Sequence, residues 1–374
     1  MKKRVALFMV GGIGVGIASQ GYPAITAIVG ALTEEFRISV YSLLPADPTF
    51  RPHGFSFRSP PRWLAGRSIR KLRWSWLASQ FLLDHSKDPY DVLFSFWGYP
   101  MGLFAVSLAK MVKRPSVVAL LGAETAKVPS IGYGYLQRPI VRRLVLTTCA
   151  AASAVVVISG QQEETLRQHG FRKNVEVIPF GVEPAMFEFQ RKRASSPLRI
   201  LHVANLTEVK DQATLIRGFA LLKRHVDAVL RIVGPDYLNG RLQRLTAELG
   251  LEDRVEFVGA VSYATIPVHY RWADLFVLTS LCEAQNSALT EAAMSGVLLV
   301  STPVGCIHDL GDDAAVIVRI GDPVDLAEKI RTIVKDPVEW QKKVALARAW
   351  AERHDLLWTV ERLREVIDGV REWR

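Results

Sequence analysis

The stretch Asp274-Leu-Phe-Val-Leu-Thr-Ser-Leu-Cys-Glu-Ala-Gln-Asn-Ser-Ala-Leu-Thr-Glu-Ala-Ala-Met-Ser-Gly296 decides how the chain is read. From Asp274 to Thr279 it is a short apolar run of the kind that forms a buried strand. The residues after it shift to a helix pattern that ends near Gly296. A strand that passes through a loop into a helix is the repeating unit of a parallel α/β sheet. Ligands of such sheets bind at the carboxyl ends of the strands. Glu283 falls in the strand-to-helix loop and Glu291 on the helix, eight positions later. Asn286, Ser287 and Ala288 open that helix, and its unpaired N–H groups favour an anion. The segment therefore offers two carboxylates to hydroxyl groups and a helix end to a phosphate, as a sugar nucleotide requires. A solvated surface helix could carry two acids at the same spacing.

Outward from this stretch, strand and helix alternate. In the first half the strands read as Val5–Val10, Ile38–Leu43, Val92–Phe96, Val117–Leu121, Ala154–Ile158 and Val175–Ile178. Helices read near 22–36, 67–83, 100–112, 136–151 and 160–169. The turn-rich Pro179-Phe-Gly-Val-Glu-Pro184 and the polar run Gln190-Arg-Lys-Arg-Ala-Ser-Ser-Pro197 interrupt the alternation. It then restarts with strands at Leu198–Val203, Leu230–Val233, Val255–Val258, Leu275–Thr279, Leu298–Ser301 and Val316–Val318. This pattern predicts two doubly wound Rossmann-like domains, 1–185 and 196–355, facing a central cleft.

Composition agrees with that division. A chain of 374 residues with 49% hydrophobic content is too long for one core and too apolar for disorder. Its three cysteines, Cys149, Cys282 and Cys306, form neither a zinc spacing nor a disulfide framework, which points to a reducing compartment. The opening Met1-Lys-Lys-Arg-Val-Ala-Leu-Phe-Met-Val has the outline of a secretory leader. The glycines that follow, Gly11, Gly12, Gly14 and Gly16, read instead as a strand turning into a helix. Leu144–Ile158 is too short to span a bilayer. The expected location is cytoplasmic, with peripheral attachment at the inner face of the membrane left open. The net charge of +10 lies wholly in residues 1–190, with 22 Lys/Arg against 12 Asp/Glu; residues 191–374 hold 25 of each. An anionic partner of the first half is implied.

The Glu283–Glu291 stretch resembles the Glu–seven residues–Glu signature of the family 4 glycosyltransferases, retaining enzymes of the GT-B fold. Further elements support the resemblance, which is good over about residues 155–310 and loose elsewhere. Val203-Ala-Asn-Leu-Thr-Glu-Val-Lys-Asp211 is similar to the family's Gly-Arg-Leu-x-x-x-Lys-Gly element. Lys210 matches the lysine that grips the diphosphate, while Asn205 stands in the arginine's place. Leu230-Arg-Ile-Val-Gly-Pro-Asp236 and Val255-Glu-Phe-Val-Gly259 follow in order, with Gly234, Val258 and Gly259 near the donor. The resemblance implies that Glu283 contacts the donor sugar, Glu291 the ribose and Lys210 the diphosphate. It also implies a last helix, near 356–374, crossing back to the first domain.

The first domain matches more loosely. In Val117-Val-Ala-Leu-Leu-Gly-Ala-Glu124, Leu121 stands where the family has a histidine and Glu124 where it has an aspartate. Glu124 is expected either to hold or deprotonate an acceptor hydroxyl, or simply to cap a helix. Gly12 and Gly14 belong to a glycine-rich loop that reads equally as a donor-phosphate loop or a tight turn. Arg67, Arg70, Lys71, Arg73, Trp74 and Trp76 form a basic, tryptophan-containing helix. It suits either an anionic membrane or acceptor, or a helix packed on the sheet with a solvated basic face. No His/Cys cluster and no Asp-x-Asp at a strand end is present, so no metal and no cofactor are expected, and no nucleic-acid module is recognised.

The expected activity is metal-independent retaining transfer of a sugar from a nucleoside-diphosphate sugar to a glycan or lipid-linked acceptor, in cell-surface polysaccharide or glycolipid assembly. Two alternatives stand beside it. One is a non-catalytic sugar-nucleotide-binding protein. The other is an NAD(P)-dependent oxidoreductase, which lacks the acid that should close the second strand.

Overall fold

In a computed structural model of the chain, residues 2–14, 21–65, 70–190 and 192–371 are described. They build two open, wholly parallel sheets with helices on both faces. The first sheet has seven strands: β1 (Arg4–Met9), β2 (Arg37–Ser42), β3 (Ser56–Arg58), β4 (Val92–Phe96), β5 (Ser116–Leu120), β6 (Ala154–Val157) and β7 (Glu176–Val177). The second has six: β8 (Leu198–Val203), β9 (Ala228–Val233), β10 (Val255–Gly259), β11 (Leu275–Leu278), β12 (Leu298–Ser301) and β13 (Val316–Ile317). The central strands β4, β5, β11 and β12 are buried along their whole length. Helices covering both faces make that burial possible, and it explains the unbroken apolar runs in the sequence.

Strand order fixes where a ligand can bind. The first sheet runs β3-β2-β1-β4-β5-β6-β7 and the second β10-β9-β8-β11-β12-β13. Each sheet reverses direction at its first strand, β1 against β4 and β8 against β11. Helices leave to opposite faces on either side of such a switch and open a crevice at the strands' carboxyl ends. The residues just past β1 and β4 (Val10 to Gly12, Trp97) and past β8 (Ala204, Asn205) line one and the same cavity. The two crevices therefore face each other.

β3 is absent from the strands read in the sequence. It has three residues at the sheet edge, too few to establish a periodicity. The passage between the sheets also differs from the sequence reading. Phe180 packs in the core of the first sheet, but Val182 and Phe187 already pack in a core of the second. The polar run after Gln190 lies along the second sheet's layer: Gln190 N–H donates to the Ser295 carbonyl at 3.2 Å and Gln341 Nε2 to the Lys192 carbonyl at 2.5 Å. The chain thus crosses at 180–182.

It crosses back next to that point. Leu356 N–H donates to the Val182 carbonyl at 3.1 Å, and Gly181 N–H donates to Thr359 Oγ1 at 2.9 Å. The helix Leu356–Gly369 then buries Leu356, Val360, Leu363 and Ile367 among Val5, Leu7, Ile25 and Ile28 of the first core.

Candidate functional site

Two loops of the second sheet build the centre of the site. After β8 a short turn, Glu208–Lys210, leads to Asp211, whose carboxylate caps the helix Gln212–Leu222 by accepting from Thr214 N–H at 3.4 Å and also accepts from the Thr214 hydroxyl at 2.7 Å. The loop after β11 is bound to it. Thr279 Oγ1 donates to the Lys210 and Asp211 carbonyls at 3.2 and 3.0 Å, and Leu281 N–H donates to the Val209 carbonyl at 2.8 Å. Lys210 Nζ thereby comes to lie 2.5 Å from Glu283 Oε1. The same oxygen accepts from Ser280 Oγ at 2.6 Å and Asn286 Nδ2 at 2.9 Å. Three donors on one oxygen fix the carboxylate and leave Oε2 without a partner among the described residues.

Asn286 has φ of 74° and precedes the helix Ser287–Met294. On the opposing sheet, Trp97 has φ of 69° at the end of β4. Non-glycine residues are seldom found in this region, and where they occur they cluster at ligand sites. Both of these line the cleft.

The cleft consists of two adjoining cavities. One, of about 790 Å³, lies between Gly12, Tyr22, Trp97 and Tyr135 of the first sheet and Asn205, Gly234, Ala260, Tyr263, Ser287, Ala288 and Glu291 of the second. The other, of about 480 Å³, holds Lys210, Glu283, Asn286, Glu124, Leu121 and Tyr133. Ser287, the first residue of its helix, lines both, as do Tyr22, Trp97, Tyr99 and Tyr135. Lys210 is the single cationic side chain among the described residues that line either cavity.

Glu291 lines the first cavity, yet it is 5% exposed. Its carboxylate accepts from Tyr270 OH at 2.8 Å and Tyr263 OH at 3.2 Å. Burial pushes its pKa up to about 7, against the pull of the two phenols. An acid raised above its unfolded value stabilises the fold fully below that unfolded value, near 4.5, and the contribution is lost as pH rises through about 7. Glu291→Gln is therefore expected to melt higher than the wild-type protein at pH 8 and not at pH 5. Parallel thermal melts at the two pH values check this, and an equal shift at both would refute it.

Glu124 is 1% exposed, and its oxygens accept from Gly98 N–H at 2.8 Å and Gly122 N–H at 3.0 Å. Burial raises its pKa despite these amides. The carboxylate ties the β4 and β5 loops together while it lines the smaller cavity, a structural part that the sequence reading of Glu124 did not include. Gly234 is required by geometry: at φ of 144° a Cβ would stand 1.9 Å from the Ala204 carbonyl oxygen. Gly259 ends β10 at a register shift, and Ala260 and Val261, not Val258 or Gly259, line the cavity. Gly12 faces the cleft. Gly14 instead packs under Phe50, where a Cβ would come within 2.6 Å of the ring, so it serves the turn and not the cavity.

The basic helix is Arg70–Lys87. Arg67 lies outside the described residues, and so does the side chain of Arg70. Arg73 is buried and donates to the Leu64 carbonyl at 2.7 Å, so it is not on an outer basic face. Trp74 packs on Phe104 at 5.0 Å, and Trp76 is half-buried against the same core. Lys71, Leu72, Leu82, Leu83 and the preceding Arg62 and Trp63 are exposed, Trp63 by 73%. Among the described residues no helix is long and apolar enough to cross a membrane, and no group of three or more His, Cys, Asp or Glu side chains is placed to hold a metal.

Sequence reasoning did not find Tyr263 and Tyr270, which grip Glu291, or the aromatic wall of Tyr22, Trp97, Tyr99, Tyr133 and Tyr135. One signal was available: Trp97-Gly-Tyr-Pro100 directly follows a strand of a doubly wound sheet.

Two open parallel sheets with facing switch points and a two-chambered cleft define a GT-B architecture. The descriptions "Glycosyltransferase Family 4" and "Glycosyl transferases group 1" match residues 25–185 and 185–353. The chain belongs to the family 4 glycosyltransferases. Its curated relatives include the alpha-monoglucosyldiacylglycerol synthase of Streptococcus pneumoniae, 25% identical over 227 residues, covering 56% of this chain and 51% of the relative. The amylovoran biosynthesis glycosyltransferase AmsK of Erwinia amylovora is 33% identical over 146 residues, covering 37% of this chain and 36% of the relative. The chain thus spans about half the length of these relatives or less. Among solved structures, Anabaena HepE in complex with UDP superimposes with a TM-score of 0.77 at 18% identity, over 98% of this chain and 100% of that one. At that identity the likeness is one of fold.

Proposed function

We propose that the protein transfers a sugar, with retention of configuration, from a nucleoside-diphosphate sugar to a hydroxyl of a glycan or lipid-linked acceptor. The observation that carries this reading is the order of features along the cleft. The larger cavity, with Glu291 at its edge, suits a nucleoside. The start of the helix at Ser287 lies where the cavities meet and suits a diphosphate. The smaller cavity, with Glu283 and Lys210, suits a sugar. Nucleoside, diphosphate and sugar follow one another in the same order.

In this reading Glu283 accepts hydrogen bonds from sugar hydroxyls through Oε2, while Ser280 and Asn286 keep it in place as Lys210 turns to the phosphate. Lys210 and the helix-end amides take up the negative charge that develops on the leaving diphosphate, without a metal. Asn205, in the place of a cation, leaves Lys210 with a larger share of that work. The acceptor hydroxyl attacks from the face that the diphosphate leaves, so the anomeric configuration is kept; product NMR reads this directly. Domain closure excludes water that would otherwise hydrolyse the donor.

The test is a thermal-shift panel of UDP, GDP, ADP, CMP, dTDP and NAD(P) in the presence of a chelator. One nucleoside diphosphate is expected to stabilise the fold by about 2.7 kcal/mol at a hundredfold excess over its Kd. A response to NAD(P) alone, or to none of them, would overturn the reading.

A membrane-borne acceptor fits the exposed Trp63, Leu72, Leu82 and Leu83 beside Arg62 and Lys71, on the half of the chain that carries the whole charge excess. Sedimentation with anionic liposomes is expected to show binding that weakens with salt. No difference between anionic and neutral vesicles would remove this part of the proposal.

A further inference from the structure

Tyr133 stands on the first-sheet side of the smaller cavity, on a loop between β5 and the helix Pro139–Ala151. The loop is pinned at several points. Val128 and Tyr133 exchange backbone hydrogen bonds of 2.8 and 3.1 Å, and Tyr135 N–H donates to the Ala123 carbonyl at 2.7 Å. Gly134 has φ of 103°, and a Cβ there would fall 2.1 Å from the Ala126 carbonyl oxygen. The turn therefore admits only glycine at that position and gives the tyrosine a rigid base.

The ring of Tyr133 is half-buried, and its hydroxyl has no hydrogen-bond partner among the described residues. Burial, and after it the charge of Glu283, holds the phenol well above its usual pKa, so it keeps a proton to donate. The groups around it on this wall are placed differently. Glu124 is buried and accepts from the Gly98 and Gly122 amides, one on each oxygen, and Leu121 brings only carbon. Tyr99 and Tyr135 pack edge to face on each other at 5.9 Å. Tyr133 shares this cavity with Glu283, near enough for the carboxylate's charge to act on its phenol.

We propose that Tyr133 reads a hydroxyl of the donor's sugar, donating its phenolic hydrogen from the first domain while Glu283 accepts from the sugar on the second. The proposal rests on the reading that the sugar occupies this cavity. It makes part of the sugar selectivity a property of the first domain. A donor is then fully held only when both domains contribute to its cavity.

Calorimetric titration of wild-type protein and Tyr133→Phe tests it. The probes are UDP-glucose, UDP-N-acetylglucosamine, GDP-mannose and ADP-glucose, each beside its free nucleoside diphosphate. Phenylalanine keeps the ring, so melting temperature and the Kd of the free nucleotide should stay within about twofold. The sugar nucleotide that the wild-type protein binds best should weaken about five- to tenfold, the loss of one neutral hydrogen bond. An unchanged ratio between the two Kd values, or an equal loss in both, overturns the role of Tyr133 and leaves the proposed function standing. If the wild-type protein binds none of the nucleotides, the proposed function fails and this inference with it.

Discussion

Glu283→Gln is expected to lower sugar transfer by about a hundredfold while leaving nucleoside-diphosphate binding within a few-fold of wild type. The amide can still accept from Ser280 and Asn286, so the loop should keep its shape. It carries no charge, however, and its NH2 group replaces one carboxylate oxygen. Lys210 then loses the counter-ion that lies 2.5 Å away, and the sugar loses its ionic acceptor. Losing a hydrogen bond to a charged group outright costs about 1.5–3 kcal/mol, a range that includes the roughly 2.7 kcal/mol of a hundredfold effect. Steady-state rates with the sugar nucleotide that binds best provide the measurement, and melting temperature controls for the fold. Undiminished transfer would remove Glu283 from the site and the central assignment with it.

The largest effect on stability is expected at Gly181. A Cβ there would lie 2.1 Å from the Asp355 carbonyl carbon and 2.2 Å from the His354 and Asp355 carbonyl oxygens. All are backbone atoms with no side chain to swing aside. Gly181→Ala must therefore push the two crossing segments apart. That costs the Gly181–Thr359 hydrogen bond and disturbs Thr359 Oγ1, which donates to the Pro179 carbonyl at 2.7 Å. Overpacking of this kind costs about 3 kcal/mol, visible as a fall of several degrees in melting temperature. A melting curve that coincides with the wild type would show that the crossing yields easily.

How much of this was legible in the sequence differs by element. β4 and β12 begin and end where the apolar runs begin and end, because strands covered on both faces have no reason to alternate. β3 left no trace because three edge residues cannot display a period. The proximity of Lys210 and Glu283 could be anticipated, since both sit just past the carboxyl ends of neighbouring strands and strand order brings such ends together. The partners of Glu291 could not. Tyr263 and Tyr270 come from a different helix-and-turn segment, and nothing in their local sequence points to a carboxylate. Arg73 shows the limit of helical periodicity: the pattern places it on a helix but does not say that a carbonyl from the preceding turn will draw it inward.

The return of the last helix has a consequence for biosynthesis. Ribosomes deliver the chain from its amino end, and domains tend to fold as they emerge. The second domain has all its strands once Ile317 has appeared, whereas the first still lacks Leu356, Val360, Leu363 and Ile367, which complete its core. The part of the protein that is made first is therefore finished last. Until then its sheet carries an apolar trough that has no lid, and for that interval the nascent chain presents to the cell a surface that the mature protein never shows.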